Sequence, residues 1–172
     1  LTKFGGVRIH LVKNLPLAAG IGAGSSNAAM TLRGLNQLNN QPLSAGSILE
    51  LAAKLGSDVP FFLQDDPALV TGRGEFVRSL KPFSALIGSG MLLVHPGFGV
   101  NTPWAYQALA KNPEPFEVEG HAERMINSLG EGRLEGFNNS LEAAVFPKFP
   151  VLPLIKEFFF ATGARASLLS GR

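Results

Sequence analysis

Three glycines, two serines and an asparagine fall together in the run Pro16-Leu17-Ala18-Ala19-Gly20-Ile21-Gly22-Ala23-Gly24-Ser25-Ser26-Asn27. Glycine leaves backbone N–H groups uncovered and tolerates positive φ, so such a loop can wrap closely around a ligand. A helical pattern begins where the run ends. The free amides of a first helical turn would then face the same ligand, with the positive end of the helix dipole behind them. The chemistry on offer is an anion cradle, and phosphate is the usual anion. No Gly-Lys-Ser/Thr closes the run, so it is not a P-loop, and the dinucleotide fingerprint needs a third glycine where Ser25 stands. The competing reading is a turn followed by a Ser-capped helix. The coincidence of glycines, serines and a preceding proline favours phosphate.

A second cluster is Gly56-Ser57-Asp58-Val59-Pro60-Phe61-Phe62, where a carboxylate stands between a helix stop and an apolar run. By spacing alone Asp58 reads as an N-cap, with Pro60 in the first turn. A helix N-terminus also favours an ionised carboxylate. Other polar residues read more plainly. His10 falls on the solvated face of a strand, Lys13 is a surface lysine close to the glycine loop, and Arg73 is a solvated turn arginine. Trp104 and Tyr106 read as helix-packing aromatics.

The elements that must position these groups follow from periodicity. Val7–Leu11 alternates apolar and polar residues as a half-buried strand does. Ala28, Ala29, Leu32, Leu35 and Leu38 predict a helix from Ser25 to about Asn39, ended by Asn39-Asn40-Gln41-Pro42. A second helix starts at the N-cap Ser44 and runs through Leu55 to a C-terminal Gly56. Ala68–Thr71 and Glu75–Val77 flank Gly72-Arg73-Gly74 as a hairpin. Met91–Val94 reads as a short buried strand. Asn101 or Thr102 caps a helix through Trp104, Ala105, Tyr106 and Leu109. Loop is expected from Lys111 to Gly120, helices over 122–129, 133–144 and 152–160, the last closed by Gly163, and a strand over 164–169.

Composition narrows the class. The 172 residues are 45% hydrophobic and 16% charged, enough for a folded chain with a sizeable core. A net charge of +2 without a basic run argues against nucleic-acid binding. The absence of cysteine excludes disulfides and a thiol nucleophile and is compatible with a reducing cytosol. No apolar run reaches membrane-spanning length. The chain opens on Leu1 rather than Met and stops at Ser170-Gly171-Arg172, so it reads as an internal fragment of a longer chain.

The run Pro16–Asn27 resembles the ATP-binding motif of the GHMP kinases, and Gly56–Phe61 is similar, position by position, to the segment that carries their catalytic aspartate. Within that family the form Gly24-Ser25-Ser26-Asn27 is most similar to the kinases of the non-mevalonate isoprenoid route. These phosphorylate a cytidine-diphosphate-linked alcohol to its 2-phosphate. The resemblance runs from Gly6 to Gly171. It implies an α+β GHMP kinase fold, truncated at both ends: a ribosomal protein S5 domain 2-like N-terminal region with a left-handed βαβ unit, plus a ferredoxin-like C-terminal region. Residues 1–88 are expected to be the remainder of the ATP-binding domain and 89–172 part of the C-terminal domain.

The same resemblance implies the site. ATP is bound by Lys13, Pro16, Gly20, Gly22, Gly24, Ser25, Ser26 and Asn27, with Lys13 beside the adenine and the Ser26 hydroxyl approaching Mg²⁺. Asp58 is catalytic and touches the substrate alcohol, as proton acceptor or as orienting group. An ordinary aspartate, with a pKa of about 3.9, is ionised at neutral pH and a weak base. Thr102, Pro103 and Tyr106 line the cytidine pocket, with the Tyr106 ring stacked on the base. Phe137–Pro147 is similar to the family's Asn-Asp/Asn-Leu-Glu segment. Ala166–Gly171 resembles the start of its third motif, Ser-Gly-Ser/Thr-Gly, with Arg172 where Ser or Thr is expected. The lysine that the family pairs with the aspartate would lie upstream of Leu1. The implied partner is the small-molecule alcohol, with no nucleic acid or membrane, and the implied location is cytoplasmic. Another GHMP kinase, of mevalonate or homoserine type, and a non-catalytic nucleotide-binding fragment are the alternatives.

Overall fold

A computed structural model describes residues 6–16, 19–111, 120–134 and 136–171. Leu17, Ala18 and most of the expected 111–120 loop lie outside them. The chain divides into two compact units: Leu1–Leu15 with Gly22–Lys81, and Pro16–Ile21 with Pro82–Arg172.

The first unit holds two helices and a hairpin. Helix α1 spans Ala23–Leu38 and α2 spans Ala45–Leu55. As the sequence implies, Ser44 is the N-cap of α2, its hydroxyl accepting the Ser47 N–H at 3.2 Å. The turn between the helices is held by Asn36, a buried polar side chain. Its carboxamide pairs with both backbone groups of Leu43, accepting from N at 3.0 Å and donating to O at 3.2 Å. Pairing on both ends of the carboxamide is what makes its burial tolerable. Within the turn Asn40 and Gln41 sit at φ 59° and 56°, in the left-handed region. Ala29, Ala52 and Val59 form the core, with Ala28, Leu32, Phe62 and Leu63 packed around them. Strands β1 (Ala68–Thr71) and β2 (Phe76–Ser79) pair antiparallel, with Val70 opposite Val77. The hairpin is thus where the alternation puts it, and Arg73 is in its turn, exposed.

The second unit is helical among the described residues. It contains α3 (Thr102–Leu109), α4 (His121–Gly130), α5 (Leu141–Val145) and α6 (Val151–Ala161). Ala105 and Leu109 of α3 meet Leu141 and Val145 of α5, and Trp104, Phe149, Leu152 and Leu169 close over them. Asn101, not Thr102, caps α3, accepting the Trp104 N–H at 2.9 Å. Gly163, at φ 95°, ends α6 as expected.

Three expected strands are absent and one expected helix is shortened. Residues 7–11 form no strand: Val7, Ile9 and Leu11 are exposed, and among the described residues the only sheet is the β1–β2 hairpin. An extended segment without a neighbour gains no ladder hydrogen bonds and buries no face. Residues 91–94 are likewise neither strand nor buried, with Met91 87% exposed. The helix expected over 133–144 shrinks to α5, because Gly136 takes φ 80° and Asn139 turns its side chain to other backbone groups. Residues 164–169 are not a strand, for a reason that belongs to the site below. The described residues form no βαβ unit. No helix among them is long and apolar enough to cross a membrane.

Candidate active site

The glycine run enters α1 through two left-handed residues, Gly20 at φ 69° and Gly22 at φ 65°. Gly22 is the N-cap of α1, and no side chain caps the helix. The Ser-capped alternative therefore fails: Ser25 lies inside the first turn rather than at its cap. Ser26 N–H is bonded to the Gly22 carbonyl at 2.9 Å. By helix geometry the amides of Ala23, Gly24 and Ser25 precede it in the open first turn. Ser25 and Ser26 are half-buried there, and their hydroxyls have no protein partner among the described residues. The Asn27 carbonyl accepts the Thr31 hydroxyl at 2.8 Å.

Lys13 stands over this helix start. Its Nζ lies 4.0 Å from the point a Cβ on Gly24 would occupy. The lysine is exposed and makes no ion pair among the described residues. An ammonium beside the positive end of a helix dipole is repelled unless an anion lies between them.

The glycines at 20 and 22 are required by what packs on them. A Cβ on Gly22 would fall 2.8 Å from Phe62 Cε2, and closer still to Cζ. Phe62 belongs to the 3₁₀ turn Pro60–Leu63, which packs on α1 and stacks edge-to-face with Phe61 at 5.0 Å. The same turn follows Asp58 directly. The cap position of that turn is Val59, with no side-chain cap, so Asp58 is not its N-cap. Asp58 is half-buried in the first unit, on the segment that abuts the start of α1.

Gly20 meets a different part of the chain, within the second unit. Its Cβ position is filled by Ser170 and Gly171, with Gly171 Cα at 2.8 Å. Ser170 Oγ donates to the Gly20 carbonyl at 3.1 Å. The segment read as the start of a third motif is thus seated on Gly20. It is not a strand because side chains take the place of a neighbouring strand. Leu169 N–H donates to Glu142 at 2.8 Å, and the Leu169 carbonyl accepts from Asn139 at 2.9 Å.

Pro16 is exposed and also belongs to the second unit. Thr102, Pro103 and Tyr106 lie on the outer side of α3, all exposed. Spacing read Tyr106 and Trp104 alike as packing residues, and the structure separates them. Trp104 packs edge-on to Phe149 at 5.9 Å, with Lys148 Nζ 3.9 Å from its ring centroid. Tyr106 is 44% exposed, its ring available to a ligand. Phe62, Asn139 and Glu142 are the positions that sequence reasoning did not assign. A proximity across some 150 residues leaves no local signal; the one hint was the Asn-Asn-Ser-Leu-Glu pattern itself.

Residues 1–66 match the family described as GHMP kinases N terminal domain. Over 96% of its length the chain is 38% identical to the 4-diphosphocytidyl-2-C-methyl-D-erythritol kinase of Pelobacter propionicus, of which it covers 57%. It is 38% identical to the enzyme of the same name from Thermodesulfovibrio yellowstonii, of which it covers 59%. A crystal structure of 4-(cytidine 5'-diphospho)-2C-methyl-D-erythritol kinase matches with a TM-score of 0.73 and 34% identity, over 92% of this chain and 56% of that one. The chain spans somewhat over half the length of the relatives it matches.

Proposed function

We propose that this chain, which carries a GHMP kinase N-terminal domain and shares the GHMP kinase fold, is part of an ATP-dependent kinase of the isoprenoid route. Its reaction moves the γ-phosphoryl of ATP to the 2-hydroxyl of 4-diphosphocytidyl-2-C-methyl-D-erythritol. The observation that carries the reading is the uncapped start of α1, with glycines, two serine hydroxyls that have no partner among the described residues, and the Lys13 ammonium gathered on it.

Each residue has a role in that reading. The amides of Ala23, Gly24 and Ser25 hold phosphate oxygens, with Gly20, Gly22 and Pro16 shaping the loop and Asn27 in the first turns of α1 behind it. Lys13 adds a charge on the phosphates, a more direct task than flanking adenine. Mg²⁺ takes oxygen ligands and keeps several waters, so one serine hydroxyl beside phosphates suits it, and Ser26 is that ligand. The ion supplies charge neutralisation on the phosphates. Asp58 orients the attacking alcohol and accepts its proton as the new P–O bond forms and the bond to ADP breaks; such catalysis is mainly positioning and charge stabilisation. Thr102 and Pro103 wall the cytidine, and Tyr106 stacks on it. Residues 1–88 and 89–172 are read as parts of the two GHMP domains; the division of the compact units at Lys81 and Pro82 supports a boundary in that neighbourhood. The enzyme is read as cytoplasmic, as a kinase using ATP and a soluble acceptor would be.

The test is phosphoryl transfer by the full protein bearing this sequence. Mg-ATP is supplied with the cytidine-bearing alcohol, mevalonate or homoserine, and the new phosphate monoester is followed by phosphorus NMR. Product is expected only from the first acceptor. Asp58→Asn is expected to lower kcat by roughly 10²–10⁴-fold with ADP affinity nearly unchanged. Product from a bare alcohol instead would assign another GHMP kinase. ADP binding with no product from any acceptor would make the protein a nucleotide-binding module.

A further inference from the structure

Asn139 and Glu142 have no part in the chemistry above, yet they spend their polar atoms on one segment. Asn139 Nδ2 donates to the carbonyls of Leu169 at 2.9 Å and Gly171 at 2.6 Å, and its Oδ1 accepts the Leu141 N–H at 2.9 Å. One carboxamide thus fills both donors and an acceptor. Glu142 accepts the Leu169 N–H on one oxygen at 2.8 Å and the Lys156 ammonium on the other at 2.5 Å. That ion pair is sheltered, with side-chain exposures of 14% for Glu142 and 26% for Lys156, so it is less screened than a surface pair. Both backbone groups of Leu169 are therefore held by side chains. The other side of the segment meets Gly20 through the Ser170 hydroxyl and the close approach of Gly171.

We infer that Asn139 and Glu142, backed by Lys156, are positioning residues for the glycine loop. They fix the backbone of residues 169–171, and that backbone holds Gly20 in its left-handed conformation. The core of the unit does not need them for this: Ala105, Leu109, Leu141 and Val145 pack by apolar contact alone. The consequence for catalysis rests on the reading of Gly20 as part of a phosphate loop, but the contact chain itself does not.

The test is hydrogen–deuterium exchange by mass spectrometry on the full protein and on Asn139→Asp. Aspartate keeps an acceptor for the Leu141 N–H but turns a carboxylate toward two carbonyl oxygens. The peptide carrying Gly20 is expected to exchange about 25-fold faster, since two hydrogen bonds are lost and each is worth roughly fivefold. Peptides from α3 and the interior of α1 are expected to keep their rates. An unchanged Gly20 peptide overturns the inference, and so does a uniform rise through α3, α5 and α6, which marks a purely structural role. Should Asn139→Asp fail to fold, Ser170→Ala cuts the last link alone. The Gly20 peptide is then expected to exchange about fivefold faster, and an unchanged rate overturns the inference. ADP affinity on the same samples separates the two readings: a wild type that does not bind ADP refutes the phosphate loop and leaves the exchange result standing.

Discussion

Gly22→Ala is the sharpest perturbation of this site. Gly22 sits at φ 65° and ψ 13°, where an alanine Cβ crowds the neighbouring carbonyl at a cost of about 1–2 kcal/mol. The same Cβ would lie 2.8 Å from Phe62 Cε2. Phe62 is itself pinned by Phe61 and by the packed core of the first unit, so the ring yields only by displacing neighbours, an overpacking cost of about 1–3 kcal/mol. The sum, about 2–5 kcal/mol, is a large share of a typical domain's stability. Denaturant unfolding followed by circular dichroism measures it. Phe62→Leu in the same chain separates the two terms. The double variant is expected to recover the crowding term, a coupling of about 1–3 kcal/mol, while the backbone term persists. A Gly22→Ala protein within about 0.5 kcal/mol of wild type would refute the packing argument. Strict additivity with Phe62→Leu would refute the assignment of the clash to that ring.

Two further outcomes follow from named contacts. Lys13→Met is expected to weaken ADP binding by roughly threefold to tenfold at low salt and by less at high salt, since the lost charge is exposed and screened; calorimetric titration at two ionic strengths checks it, and no loss at low salt removes Lys13 from the site. Ser44→Ala is expected to cost about 1 kcal/mol of stability through the lost α2 cap, with ADP affinity unchanged; a shift in denaturant midpoint measures it.

What was legible in the sequence was local. The start of α2 at Ser44 is set by residues three apart, and the hairpin by the Gly72-Arg73-Gly74 turn between two apolar runs; for α3 the local chemistry offered Asn101 or Thr102, and only the structure chooses Asn101. Strands at 7–11, 91–94 and 164–169 were misread because a strand depends on a partner that its own residues do not specify. The 133–144 helix was overextended because apolar spacing does not show that Asn139 is committed to carbonyls thirty residues on. In the candidate site, the glycine run was legible as an unusual loop. Why Gly20 and Gly22 must be glycine was not: one is packed by Ser170 and Gly171, the other by Phe62.

The contact between Ser170 and Gly20 joins residues 150 positions apart. A chain synthesised from its N-terminus makes the glycine run early and its support late. At about 5–20 residues per second, the run would wait roughly 8–30 s for Ser170 to be added. During that interval α1 and α2 can pair from local contacts, while Gly20 has nothing to hold it. If the run is the phosphate loop proposed above, its support is complete only once residues 169–171 have emerged, so an ATP-analogue added to stalled nascent chains is expected to protect those that expose Gly171 and to leave shorter ones untouched.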